Sequence, residues 1–129
     1  MNLRNLLILV NLLISYALYA QTLTFWGMTM SGGVNNGGTI FSTDANGDNH
    51  SLKYSFSFND GSEPEGALLE NNGKLYGITN YGGNVSYEPR GVLFEYDPVT
   101  AIYTKKYNFD EAIIGYDFIG GLVEAGNGK

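Results

Sequence analysis

Cysteine is absent from the 129-residue chain. That excludes a disulfide framework, a thiolate metal site and a cysteine nucleophile. Histidine occurs once, as His50, whereas a zinc site needs three or four ligands. Positive charge is scarce: 7 Lys and Arg stand against 13 Asp and Glu, a net charge of −6. Nucleic acid and anionic membrane surfaces are held by basic patches, so neither is expected as a partner. After the first 20 residues no stretch is apolar enough to span a bilayer. A chain this long makes one domain or part of one.

Residues 1–20 differ from the rest. Arg4 is their only charged side chain, and Leu6–Val10 and Leu12–Leu18 form an apolar run interrupted by Asn11, Ser15 and Tyr16. The segment ends in Ala17-Leu18-Tyr19-Ala20 before Gln21. A positive start, a short apolar centre and a small residue at the cut predict a secretory signal peptide, cleaved between Ala20 and Gln21. A membrane anchor is the alternative, but it needs about 20 apolar residues. No cysteine follows the cut, so a lipoprotein anchor is excluded. Small exported animal domains usually depend on disulfides; a chain without them suits a bacterial surface protein stabilised by its core or by repeat stacking.

The remainder is one motif written twice. Phe25-Trp26-Gly27-Met28-Thr29 through Gly32-Gly33 matches Leu75-Tyr76-Gly77-Ile78-Thr79 through Gly82-Gly83 at an offset of 50. Gly38–Asp44 matches Gly91–Asp97 at 53, and Lys53–Phe58 loosely parallels Lys105–Phe109. Gly66–Glu70 matches Gly120–Glu124 at 54, and Asn72-Gly73-Lys74 matches Asn127-Gly128-Lys129 at 55. The growing offset places small insertions in loops, where they cost little.

Within each unit the hydrophobic period is two. Val92, Phe94 and Tyr96 alternate with Leu93 and Glu95; Tyr54, Phe56 and Phe58 alternate with Lys53, Ser55 and Ser57. This is the half-buried strand pattern. Asn46-Gly47, Asp60-Gly61, Asn72-Gly73, Asp97-Pro98 and Asn127-Gly128 separate the runs as turns. No helix is expected beyond the leader. Each unit predicts four antiparallel strands, in the second unit about Lys74–Thr79, Gly91–Tyr96, Tyr103–Phe109 and Gly121–Glu124. Four strands in roughly 40–50 residues is the arithmetic of a propeller blade. The expected fold is all-β, two blades of a propeller-like array, with a small β-sandwich as alternative. The expected units are residues 21–73 and 74–129.

The succession Lys74-Leu75-Tyr76-Gly77-x-Thr79, Gly82-Gly83, Gly91-x-Leu93-Phe94-x-Tyr96-Asp97-Pro98 and Lys105-Lys106-x-x-Phe109-Asp110 resembles the Gloeo/Verruco (GloVer) tandem repeat of large exported bacterial proteins. Phe25–Asp44 is a divergent first copy. The resemblance implies export and a repetitive β architecture, and it brings no catalytic residues. Many such proteins carry further repeats and a sorting or anchoring domain. This sequence stops where the next Leu-Tyr-Gly would begin, so an N-terminal fragment of a longer protein is expected.

Candidate chemistry is thin. Asp44, Asn46 and Asp48 alternate as calcium ligands do, but an EF-hand register would place Gly and Glu where Asn49 and Ser55 stand; a hairpin turn is the simpler reading. His50, between Asp48 and Ser51, lacks the spacing of a nucleophile relay. Asp60, Glu63, Glu65 and Glu88 offer carboxylates for glycoside hydrolysis, yet an acidic surface supplies such pairs by chance. The diglycines lack the helix and Lys of a phosphate loop, and read instead as places of sharp turning or close packing. Trp26 and Tyr76 read as core. Tyr81, Tyr87 and Tyr116, in loops, are the candidate binding aromatics. No cofactor and no metal are expected. The expected function is a non-catalytic exported scaffold whose loops bind glycan or protein at the bacterial surface or outside the cell, with further repeats of the same polypeptide as partners. The alternative is a fragment of a propeller-based carbohydrate-active hydrolase or lyase.

Overall fold

A computed structural model describes residues 2–8, 23–83, 89–110 and 118–126. Residues 3–8, inside the predicted leader, form a short helix, and the predicted cleavage bond lies outside the described residues. Among the described residues no helix is long and apolar enough to cross a membrane.

Among the described residues seven strands follow: β1 (Thr24–Thr29), β2 (Thr39–Asp44), β3 (Ser51–Ser55), β4 (Leu69–Asn71), β5 (Lys74–Ile78), β6 (Pro89–Asp97) and β7 (Ile102–Asp110). All named pairings are antiparallel, in two sheets ordered β1-β2-β3 and β4-β5-β6-β7. The fold is all-β, as the alternation predicts. Local chemistry sets the turns. Asn72 and Gly73 both have positive φ, 52° and 76°, which is the two-residue hairpin whose twist matches its strands. At the β6–β7 turn, Asp97 Oδ1 accepts the Val99 and Thr100 amides at 2.8 and 3.2 Å.

Eight strands were expected, and the eighth, Gly121–Glu124, is not a strand in the structure. Its counterpart in the first unit, Gly66–Glu70, supplies β4, which pairs with β5 of the second unit. The sheets are therefore out of phase with the sequence repeat by one strand. A segment of this kind becomes a strand by closing an Asn-Gly hairpin onto the Leu-Tyr-Gly strand after it. Among the described residues Gly121–Glu124 has no such partner.

The core lies between the two sheets. Trp26, Met28, Ile40, Tyr54 and Phe56 of the first sheet and its exit loop pack on Leu68, Leu75, Phe94, Tyr96 and Tyr103 of the second. Tyr54 stacks on Tyr103 at 4.3 Å between ring centroids, and Phe56 meets Phe94 edge-on at 5.3 Å. Such ring pairs add to the ~1.5–3 kcal/mol gained by burying each large apolar side chain. Desolvation pushes the Tyr103 and Tyr54 hydroxyls far above the usual phenol range. Tyr103 donates to Asp60 O at 2.6 Å, so its polar end is satisfied.

One cross-strand device recurs in both sheets. Gly27 lies opposite Phe41, and Gly77 opposite Phe94. In each pair the phenyl ring covers the glycine: a Cβ would fall 2.6 Å from Phe41 Cζ and 2.5 Å from Phe94 Cζ. Each phenylalanine also follows a register shift against the next strand, at Ile40/Phe41 and at Leu93/Phe94. The bulge re-aims the ring, and only glycine leaves room beneath it.

Candidate functional site: the open face of the second sheet

The sheets use opposite faces. The first sheet buries the face of Trp26, Met28, Ile40 and Tyr54. The second buries the other face, that of Leu75, Phe94, Tyr96 and Tyr103. Among the described residues no sheet covers the equivalent face of the second sheet, where Tyr76, Ile78, Leu93 and Tyr107 stand in the places of Trp26, Met28, Ile40 and Tyr54. Tyr107 is 45% exposed. A groove of about 460 Å³ runs along this face, between Leu69, Tyr76 and Leu93 on the sheet and Leu122–Ala125 of the tail. The tail starts beside its own counterpart, because Gly66 packs directly against the backbone of Gly120.

Glu95 sits at the centre of this face, 9% exposed. Lys74 Nζ pairs with Oε1. Lys106 Nζ and the Tyr76 hydroxyl reach Oε2 at 3.2 and 3.1 Å. The Lys74 contact above all, then Lys106 and Tyr76, holds the Glu95 carboxyl below the ordinary carboxylate range, against its own desolvation. The same contact raises Lys74. A carboxylate held ionised by two cations and a hydroxyl is neither a general acid nor a free base. It orders the face. Reading the sequence for chemistry missed this cluster, because Glu95 looked like one polar partner in an alternating strand. The signal was in the repeat comparison: Ser42 and Thr24 of the first unit become Glu95 and Lys74 in the second.

The residues predicted from sequence fall elsewhere. Tyr81 is 40% exposed, and its backbone pairs with Ser62 across the two units, at 2.7 and 3.1 Å. Tyr87 and Tyr116 lie outside the described residues, as does Glu88. Asp44 turns its carboxylate onto its own loop: Oδ1 accepts the Asn46 and Asp48 amides at 3.0 and 2.9 Å, and Oδ2 accepts Asn49 Nδ2 at 2.8 Å. These bonds, the Asn49 one first, lower its pKa. Asp97 repeats the arrangement in the second unit, its pKa lowered by the Thr100 and Val99 amides. Among the described residues no three His, Asp or Glu side chains come together as metal ligands would. His50 is exposed. Asp60 accepts from Ser57 Oγ at 2.7 Å, and Glu63 joins the two units through its backbone, to Gly37 and Asn80. Trp26 lies against the core, 5.9 Å from Tyr96; its equivalent Tyr76 lines the open groove instead.

Two sheets, each with a glycine under a phenylalanine and joined through non-equivalent faces, define a tandem-repeat β protein. The chain belongs to the Gloeobacter/Verrucomicrobia repeat family, whose profile matches residues 15–129. Comparison with curated proteins and with solved structures finds no match.

Proposed function

We propose that the chain is a non-catalytic, exported repeat scaffold, with sheets that stack as propeller-like blades and loops that bind glycan or protein outside the cell. The observation that carries this reading is the head-to-tail use of opposite sheet faces, which leaves a mixed face, with Tyr76, Ile78, Leu93 and Tyr107 around the Glu95 ion pairs, available to a further repeat. Stacking of this kind propagates by addition of like units. The carboxylates with distinct surroundings serve architecture: Asp44 and Asp97 close turns, and Glu95 ties three strands. Export is supported by the pattern of residues 1–20. Of the three loop aromatics predicted from sequence, Tyr81 is the one among the described residues, and it is exposed enough to stack on a sugar or a partner side chain.

A glycan array probed with the processed chain tests the reading. Binding is expected, and Tyr81→Ala should weaken it by up to about tenfold. Release of new reducing ends from a bound glycan would replace the scaffold reading with a hydrolase.

A further inference from the structure

We propose that Asn72 is a self-modification site, where the carboxylate of Glu70 assists attack by the Gly73 backbone nitrogen on the Asn72 side chain and so converts it to aspartate and its β-linked isomer. Asn-Gly stands at three described places: Asn36-Gly37, Asn46-Gly47 and Asn72-Gly73. Glycine after asparagine leaves no side chain to obstruct the approach of the backbone nitrogen to the side-chain amide. That nitrogen must lose its proton as it attacks. The group that accepts its N–H therefore decides whether the reaction is assisted.

The three places differ in that group. Gly37 is buried, and a Cβ there would fall 2.7 Å from Phe56 O, so the backbone around it is closed in. The Gly47 amide donates to Asp44 O at 3.1 Å, closing its turn, and a peptide carbonyl is no base. The Asp44 carboxylate lies in the same loop, but Asn46, Asp48 and Asn49 already donate to it. The Gly73 amide donates instead to Glu70 Oε1, at 2.7 Å. The β4–β5 turn is closed by the flanking pair Asn71 and Lys74, so this amide is not what holds it. Glu70, Asn72 and Gly73 are all exposed, and nothing lies within 4 Å of where a Gly73 Cβ would stand, which leaves room for a ring to form. Lys74, the lysine of this hairpin, is committed to Glu95.

The step balances with water as its only co-reactant. Glu70 takes the Gly73 amide proton as that nitrogen bonds to Asn72 Cγ. The Cγ–Nδ2 bond breaks, and the proton passes to Nδ2, which leaves as ammonia. A five-membered succinimide remains in the chain. Water then opens either of its two C–N bonds to the ring nitrogen, giving aspartate or the isomer in which the backbone runs through the side chain. Both products place a new carboxylate in the hairpin beside Glu70, and the isomer adds a backbone methylene to a two-residue turn whose twist matches its strands. The turn no longer fits the pairing of Asn71 with Lys74, Glu70 with Leu75 and Leu69 with Tyr76. Since β4 is the strand that the first unit contributes to the second sheet, the modification loosens the seam between the units.

The test incubates the purified chain at neutral pH in water labelled with heavy oxygen, which marks each new carboxyl, and follows Asn46 and Asn72 by peptide mass mapping. Asn46 is the internal reference, an exposed Asn-Gly without a base on its glycine amide. Asn72 should convert at least about tenfold faster. Glu70→Gln keeps the side chain's length and removes the base; it should bring the Asn72 rate down toward that of Asn46 and leave Asn46 unchanged, with the circular dichroism of the parent. The parent gives a second readout that needs no variant. Moving from mildly alkaline to mildly acidic buffer removes hydroxide, so Asn46 should slow steeply, whereas Asn72, served by a carboxylate, should slow less. The converted fraction, separated by anion exchange, should unfold at lower urea than the parent. An Asn72 rate no faster than that of Asn46 overturns the proposal. So does a rate that Glu70→Gln leaves unchanged or raises, or a pH dependence equal at the two asparagines.

Discussion

At the scale of single residues, the glycine beneath each phenylalanine decides how closely neighbouring strands pack their side chains. The two copies differ in tolerance. Phe94 is fully buried, whereas Phe41 is only half-buried and has somewhere to move. Gly77→Ala should therefore destabilise the fold by about 1–3 kcal/mol, the usual cost of overpacking. Gly27→Ala should cost clearly less. Urea unfolding of both variants checks the order, and equal losses would count against the ring-cover account. Glu95 carries a second expectation. Its pKa is lowered in the fold, as are those of Asp44 and Asp97. A lowered carboxyl stabilises fully above its unfolded value, and that contribution is lost as pH falls through the lowered native value. Stability should hold at neutral pH and decline below about pH 4. Glu95→Gln should be less stable at pH 7 and show a shallower acid decline; an unchanged acid profile would mean that the ion pairs contribute nothing.

At the scale of elements, hairpins carry the chain's polar chemistry. The loop after β2 has the alternate oxygens of a cation site, but three of its own donors occupy the Asp44 carboxylate. Calcium should leave the melting temperature of the processed chain unchanged, because a ligand that does not bind the fold cannot stabilise it by mass action. An upward shift that disappears in Asp44→Ala and Asp48→Ala would make the loop a calcium site. The β3–β7 equivalence is also an element-scale result. Pairing Ile40 with Tyr54 and Leu93 with Tyr107 sets Lys53–Phe56 against Lys106–Phe109 at an offset of 53, and so fixes the register of a match that the sequence comparison drew only loosely.

At the scale of the whole molecule, equivalent residues have unequal work. Phe56 is fully buried and wedged between the sheets, against Phe94 and Tyr103. Phe109, its counterpart, is also buried, 9% exposed, but on the other side of its sheet, 4.5 Å from Phe118 and away from the contact between the sheets. Phe56→Ala should cost about 3–5 kcal/mol and separate the two sheets, seen as loss of near-ultraviolet dichroism from the stacked tyrosines. Phe109→Ala should cost clearly less, because its ring packs on Tyr107 and Phe118 and not between the sheets. Comparable losses in urea titrations would mean that the contact between the sheets is no more important to the fold than the far side of the second sheet.

The strand content, the turns and the repeat were legible in the sequence, because each rests on local chemistry. Alternating aromatics such as Tyr54 and Phe56 place side chains on one face at a period of two, Asn72-Gly73 accepts positive φ wherever it stands, and an offset of 50 to 55 needs only comparison of the chain with itself. What only the tertiary structure decided is non-local. It joined β4 of the first unit to β5 of the second, left Gly121–Glu124 without a strand partner among the described residues, and gathered Lys74 and Tyr76 of β5 and Lys106 of β7 onto Glu95 of β6. It also chose which face each sheet buries. Periodicity shows that a strand has two unlike faces, but the choice between them depends on where the next sheet sits, and that is settled by packing between residues far apart in the chain.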